Sequence, residues 1–289
     1  MKEKMLCPAK INLFLEVVAK RPDGYHELDT VMHSVDLSDT VTVEVSENGT
    51  DENRITLTCT EKSLPTDDKN IAYKAALRFA DKYGITGYDI KIDIEKRIPL
   101  AAGLAGGSAD CAGVLLLLER IFGTDDREGL LALGGELGAD VPFCMTCGCA
   151  AASGIGEKMT RVAPLTPERT LVIAKGSDSV STAAAYRLID TLGEREIRSS
   201  ARMVSLLERR DAASALEYMF NIFEEVIAPD VPSVGRAKQI MLTCGAENAM
   251  MSGSGPSVFG IFTNADDAEC AHSALLSEGY DSFICLPVM

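Results

Sequence analysis

Hydrophobic and polar positions alternate in four stretches of the first third of the chain, Ala9 to Val18, Thr40 to Val45, Arg54 to Cys59 and Tyr88 to Glu95. Each is rich in β-branched residues and predicts a strand. Apolar residues spaced three and four apart predict helices at Asn70 to Tyr83, Ala109 to Phe122 and Arg127 to Leu137, the last stopped by Gly138. After Gly156 the pattern restarts with a strand at Thr170 to Ala174 and helices at Ala183 to Leu192, Ser200 to Leu207, Ala213 to Glu225 and Val234 to Cys244. Two strands, Ala249 to Ser252 and Val258 to Phe262, flank the turn Gly253-Ser254-Gly255-Pro256-Ser257. Ala265 to Glu278 and Ser282 to Leu286 add a last helix and strand. Strands and helices segregate in both halves, so the class is α+β. The polar, proline-containing stretch Lys158 to Glu168 divides the halves, giving expected domains over 1–160 and 161–289.

A length of 289 residues agrees with two domains or one large one. The formal charge of −15 argues against a phosphate-backbone binder, so no nucleic-acid partner is expected, while a local basic pocket for a small anion stays open. No apolar run is long enough to cross a bilayer, and Met1-Lys2-Glu3-Lys4 leads into no signal-like core. The expectation is a cytoplasmic protein without a membrane partner. Nine cysteines scattered through so long a chain read as reduced thiols. Cys144-Met-Thr-Cys147-Gly-Cys149 has a C-x-x-C spacing but no second pair or nearby histidine to complete a zinc site, so these are expected to be small core residues.

Candidate chemistry concentrates between the strand ending at Glu95 and the helix beginning at Ala109, where Gly103, Gly106 and Gly107 lie in a strand-to-helix turn. Exposed N–H groups at a helix start favour an anion, and glycines remove the side chains that would hold a phosphate away. The same glycines also suit a tight structural turn with positive φ. Ser108 can cap the helix or contact a metal-bound phosphate. A Walker loop needs a lysine after Gly107, and a dinucleotide fingerprint needs G-x-G-x-x-G early in a βαβ unit; neither pattern fits.

Pro99-Leu-Ala-Ala-Gly-Leu-Ala-Gly-Gly-Ser-Ala-Asp110 resembles the phosphate loop of the GHMP kinases, small-molecule kinases without a Walker loop. Pro8-Ala-Lys-Ile-Asn-Leu-Phe14 and Met251-Ser-Gly-Ser-Gly-Pro-Ser257 resemble two further motifs of that family, in the same order. The resemblance implies an α+β, two-domain GHMP kinase fold, with a ribosomal-protein-S5-like N-terminal domain and a ferredoxin-like C-terminal domain. It also implies ATP as phosphoryl donor and Mg²⁺ as cofactor. Within the family, Arg21-Pro-Asp-Gly-Tyr-His-Glu-Leu28, Gly138-Ala-Asp-Val-Pro-Phe143 and Val180-Ser-Thr-Ala-Ala-Ala-Tyr186 resemble the branch that phosphorylates the C2 hydroxyl of a CDP-linked methylerythritol.

That resemblance implies roles residue by residue. Asp140 is the expected base and Lys10 the cation that orients it and screens phosphate charge. ATP is expected against Pro99, Leu100, Ala101, Ala102, Gly103, Leu104, Ala105, Gly106, Gly107, Ser108 and Ala109, with Asn70 near the adenine and Ser108 as a candidate metal ligand. Tyr25 and His26 are expected to recognise cytidine, with Tyr186 on the far side of the base, and Asn12 and Thr182 complete the substrate set. Gly253-Ser254-Gly255 would close on the substrate phosphates through backbone N–H groups. Read from their own residues, Gly138 to Pro142 is equally a helix stop with a turn-capping aspartate, Lys10 an outward-facing strand residue, and Gly253 to Gly255 a hairpin loop. The chain departs from the family at Ile222, where Asn221-Ile-Phe-Glu224 replaces the common N-D-x-E, and at Cys149, where threonine is common. Alternative functions are a GHMP kinase acting on homoserine or a mevalonate-type alcohol, or a catalytically silent nucleotide binder. The cytidine-type Asp23-Gly-Tyr-His26 turn and the retained Lys10 and Asp140 argue against them.

Overall fold

The computed structural model describes residues 1–166 and 168–289; Pro167, inside the stretch read as the domain division, lies outside the described residues. Along the chain the elements are β1 (Lys2–Lys20), β2 (His26–Glu47), β3 (Arg54–Cys59), α1 (Ile71–Tyr83), β4 (Tyr88–Glu95), α2 (Gly106–Phe122), α3 (Arg127–Leu137) and α4 (Val141–Thr146). They continue with β5 (Cys149–Gly154), β6 (Lys158–Arg161), β7 (Thr170–Lys175), α5 (Thr182–Ile189), α6 (Ala201–Glu208), α7 (Ala212–Glu217), β8 (Phe220–Asn221) and α8 (Ile222–Ile227). The last are α9 (Pro232–Thr243), β9 (Asn248–Met251), β10 (Val258–Phe262), α10 (Ala265–Ser277) and β11 (Asp281–Cys285).

Contacts group the chain into two units, the first holding residues 1–9, 38–98 and 105–146, the second residues 10–37, 99–104 and 147–289. The strands β1 and β2 run through both. In the first unit the strand order is β3-β4-β2-β1, with β3 parallel and β2 antiparallel to β4. Ile90, Ile92 and Ile94 of β4 are buried on one face while their neighbours along the strand point to water, the period of two that a half-buried strand requires. The helix α2 covers that core and is apolar nearly all round. It lies so close to the strands that a Cβ at Gly113 would stand 2.4 Å from Cys7 Sγ.

Beneath the entry to the glycine loop sits a buried charge cluster. Lys96 Nζ pairs with Asp39 and, at 2.7 Å, with Asp110. Asp39 also accepts the backbone N–H groups of Arg97 and Ile98, which fixes the path of the chain into the loop. One lysine thus faces two carboxylates, and Asp110 Oδ1 makes no hydrogen bond.

In the second unit, β2 pairs with β5 from Leu28 to His33, β6 pairs with β5, and β8 runs parallel to β1 at Phe14 and Leu15. A separate four-stranded sheet has the order β11-β7-β10-β9, all neighbours antiparallel. With α5 to α9 joining β7 to β9 and α10 joining β10 to β11, this is the ferredoxin-like arrangement expected from the resemblance.

Several sequence expectations change. β1 and β2 extend well beyond the alternating stretches, because buried Thr30, His33, Ser34, Ser38 and Asp39 hide the alternation of β2. His33 is neutral: Nδ1 donates to the Ser34 carbonyl, Nε2 accepts from Leu165 N–H, and burial lowers its pKa to about 4. The helix expected over Ala213 to Glu225 is broken into α7, β8 and α8, since Phe220 and Asn221 join β1 as a strand. Ser108 does not cap α2; the N-cap is Ala105, in left-handed conformation. Gly138 stops α3 in extended conformation, where a Cβ would lie 3.3 Å from Val141. Cys144 and Cys149 are buried core residues, whereas Cys147 is only half-buried, and burial pushes the Cys149 thiol up to about 12. The departure at Cys149 therefore changes packing.

The Asp39–Lys96–Asp110 cluster sets a pH dependence. Burial, with Asp39 nearby, pushes the Asp110 carboxyl up to about 7, against an ordinary carboxylate near 4. The folded state thus holds an extra proton between about pH 4 and 7, and this site's contribution to stability falls as pH rises through that window. Asp110→Asn keeps an oxygen for Lys96 and removes the titration. Its stability relative to the parent is expected to improve by about 1–3 kcal/mol between pH 5 and pH 8, read from denaturant unfolding at both pH values. Parallel profiles would remove Asp110 as the titrating group.

Candidate active site

The loop between β4 and α2 alternates conformations. Ala101, Gly103 and Ala105 all have positive φ, at 48°, 74° and 58°. A left-handed alanine costs on the order of 1 kcal/mol or more, so two in one loop mark a backbone held by its surroundings. Alternation of this kind turns successive N–H groups toward one concavity, which binds anions. It ends at α2, whose N-terminus has no side-chain cap, leaving its first N–H groups to a ligand.

The three glycines of the loop have different reasons. A Cβ at Gly103 would stand 2.1 Å from the Ser252 carbonyl oxygen, and one at Gly106 would stand 3.0 Å from Ile98 and 3.3 Å from Lys96 Nζ. Both are packing requirements. Only Gly107, exposed and with Ile71 at 3.8 Å as its nearest neighbour, keeps a side chain out of open space.

Within the first unit, Gly138 faces Ser108, whose Oγ would lie 3.8 Å from a Cβ there. Asp140 is half-buried, and its carbonyl accepts from Cys144 N–H at the head of α4. Asn70 caps α1, its Oδ1 accepting from Ala72 N–H at 2.9 Å and its Nδ2 donating to the Pro65 carbonyl.

Within the second unit, Lys10 is only 5% exposed, so it is not an outward-facing strand residue. Its Nζ donates to Asn12 Oδ1 at 2.8 Å, Asn12 donates to Thr30, and Thr30 donates to the Phe14 carbonyl. The Lys10 N–H donates to the Leu104 carbonyl, tying β1 to the glycine loop. The Lys10 side chain is thus held in place through Asn12 and Thr30.

The hairpin between β1 and β2 turns at Gly24, with φ 87°, and Asp23 Oδ1 accepts the Tyr25 N–H. Tyr25 is 61% exposed. The His26 ring stacks on Tyr186 with centroids 4.6 Å apart and planes 23° apart, and Tyr186 meets Phe223 edge-on. His26 Nε2 lies 2.7 Å from Asp190 Oδ1, and Lys20 donates to Asp190 Oδ2. These two bonds hold the Asp190 carboxyl below the usual carboxylate range. Asp190 has no motif around it and lies 164 residues from His26, so nothing in the sequence pointed to it. Thr182 meets Ser254 through their hydroxyls at 3.0 Å, and Ser252 Oγ donates to the Gly103 carbonyl. Thr182, one of the expected substrate residues, is thus linked to the second glycine turn, and that turn to the first loop.

Residues 70–148 match the model of the GHMP kinases N-terminal domain, and residues 203–281 match that of the GHMP kinases C-terminal domain. A 4-diphosphocytidyl-2-C-methyl-D-erythritol kinase of Caldicellulosiruptor saccharolyticus is 41% identical over 90% of this chain and 88% of its own length. One of Clostridium botulinum is 40% identical over 96% of each. A crystal structure of 4-(cytidine 5'-diphospho)-2C-methyl-D-erythritol kinase superposes with a TM-score of 0.81 at 31% identity, covering 99% of this chain and 100% of that one. A homoserine kinase from Cytophaga hutchinsonii, at 20% identity and a TM-score of 0.77, shares the fold. The chain belongs to the GHMP kinase family, as a two-domain α+β small-molecule kinase with ATP as phosphoryl donor.

Proposed function

We propose that this kinase transfers the γ-phosphoryl group of ATP to the C2 hydroxyl of 4-diphosphocytidyl-2-C-methyl-D-erythritol. The observation that carries the choice of acceptor is the aromatic platform of His26 and Tyr186, anchored by Asp190 beside the exposed Tyr25. Homoserine and mevalonate have no base for such a platform to stack. The Asp190 carboxylate only accepts, so the hydrogen of that pair is carried on His26 Nε2, and Nδ1 is assigned as the acceptor that meets the base. An acceptor suits the amino group of cytosine and repels the carbonyl oxygen that uracil has in its place.

Phosphoryl transfer asks for positioning and charge stabilisation more than covalent chemistry. The N–H groups of Gly106, Gly107 and Ser108 cradle the ATP phosphates, and the Gly253–Gly255 turn contacts substrate phosphate from its own side. Asn70 neighbours the adenine. Asp140 accepts the proton of the C2 hydroxyl as the phosphoryl group arrives, Lys10 offsets the negative charge, and Asn12 and Thr182 orient the acceptor. No group of three His, Cys, Asp or Glu side chains that could hold a metal occurs among the described residues. That fits Mg²⁺, which keeps several waters and binds through substrate phosphates with one or two protein oxygens. Ser108 Oγ is the proposed protein oxygen, and the bound ion would neutralise the β- and γ-phosphates.

Two measurements test the assignment. Asp140→Asn is expected to melt as the parent does and to lose about 10²- to 10⁴-fold in kcat. A near-normal kcat would remove Asp140 from the base role. Tyr25→Ala is expected to weaken the CDP-linked substrate by roughly 1–3 kcal/mol, about ten- to a hundredfold in Kd, with ATP affinity unchanged. In the same assays the parent is expected to use the UDP-linked alcohol poorly, because His26 would face an oxygen in place of an amino group. Equal use of both would withdraw cytidine and leave a GHMP kinase with another acceptor.

A further inference from the structure

The segment Asn221-Ile-Phe-Glu224 has no part in the chemistry so far, yet both of its polar side chains turn inward. Asn221 is 3% exposed. Its Nδ2 donates to the carbonyls of Met251 and Gly253, at 2.8 Å each, while its Oδ1 accepts from Phe223 N–H and caps α8. In the first turn of that helix, Glu224 Oε2 accepts from Met251 N–H at 2.6 Å and Oε1 pairs with Lys238. Between them the two side chains hold the N–H and carbonyl of Met251 and the carbonyl of Gly253. These are backbone groups at the end of β9, an edge strand, and without the two side chains they would have no protein partner on that side. Ile222, the residue that departs from the family pattern, is 1% exposed and fills the core.

The turn so held contains two glycines in left-handed conformation, Gly253 and Gly255, at φ 56° and 75°, and glycine is the residue with the most conformations to lose. Its setting reaches the phosphate loop directly. Ser252 Oγ donates to the Gly103 carbonyl, and a Cβ on Gly253 would stand 2.8 Å from that same oxygen.

We infer that Asn221 and Glu224 are positioning residues for phosphoryl transfer, a clamp on the back of the Gly253–Gly255 turn that sets the aim of its N–H groups. The inference rests on the proposed role of that turn as a phosphate contact. Reacting groups displaced by about 1 Å can lose about 10²-fold in rate, so the clamp's effect belongs in kcat.

Asn221→Ser separates clamp from cap. Serine caps a helix about as well as asparagine, brings no buried charge, and is too short to serve both carbonyls. The variant is expected to lose about 10²-fold in kcat while its affinity for cytidine, which engages only the base platform, stays within about twofold of the parent. A kcat within about twofold of the parent, or parallel loss of turnover and cytidine affinity, overturns the clamp. Should this variant fold poorly, Glu224 gives the same test, because Glu224→Gln retains an oxygen for Met251 N–H and Glu224→Ala does not. Glutamine is expected to keep most of the turnover that alanine loses, and equal rates for the two count against the clamp. Gly253→Ala disturbs the turn itself and tells the two ideas apart. If it turns over at the parental rate, the turn is no phosphate contact and the clamp falls with it; if it is slow while Asn221→Ser is not, only the clamp falls.

Discussion

The close approach of two backbone segments is the constraint on which the site depends. Gly103 lies so near Ser252 that one added methyl group would come within 2.1 Å of a carbonyl oxygen, and Gly253 is almost as close to Gly103 from the other side. Neither glycine can be exchanged without moving both segments. From this contact the order spreads outward: Leu104 accepts from Lys10 N–H, Lys10 reaches Asn12, and Asn221 holds the carbonyls on either side of Ser252. The lysine, the phosphate loop and the second glycine turn are therefore set by one continuous run of hydrogen bonds, with no freely rotating link between them.

A chain of net charge −15 that handles phosphates needs its positive potential to be local. Lys96 lies between Asp39 and Asp110, which engage its ammonium group, so this cluster braces the chain at Arg97 and Ile98 and offers little field to a ligand. Lys10 is buried, and its Nζ is held by Asn12 Oδ1. The remaining positive potential comes from the uncapped end of α2, which carries no side-chain charge.

What the sequence disclosed follows the range of each interaction. Strands and helices ruled by local period, such as β4 and α1, were legible almost to the residue, and the turn between β4 and α2 was legible from its glycines. The reasons for those glycines were not, because Gly103 answers to Ser252 and Gly106 to Ile98 and Lys96, pairings that only the folded chain creates. β5 was missed because Cys149-Ala-Ala-Ala-Ser-Gly154 carries no strand propensity and is made a strand by pairing with β2. The break in the helix after Glu217 was hidden for the same reason, since it is pairing with β1 that pulls Phe220 and Asn221 out of helical geometry. Among candidate site residues, Tyr25 and His26 stood out by their motif, whereas Asp190 did not, because its contact with His26 is distant in sequence.

The two left-handed alanines raise a last question, since glycine at 101 and 105 would relieve their strain. Glycine would also widen the unfolded ensemble, a loss of roughly 0.4–1 kcal/mol that offsets much of the gain, so stability alone does not choose between the residues. Preorganisation does. A glycine at 105 could leave the left-handed well easily, and with it the N–H groups of Gly106 and Gly107 would lose their common direction. Alanine has far fewer alternatives once Leu104 is tied to Lys10 and the Ala105 carbonyl accepts from Ala109 N–H. The strain is therefore borne by neighbours within the protein, and the concavity proposed for phosphate is held by the chain itself, which spares binding the entropy of ordering it.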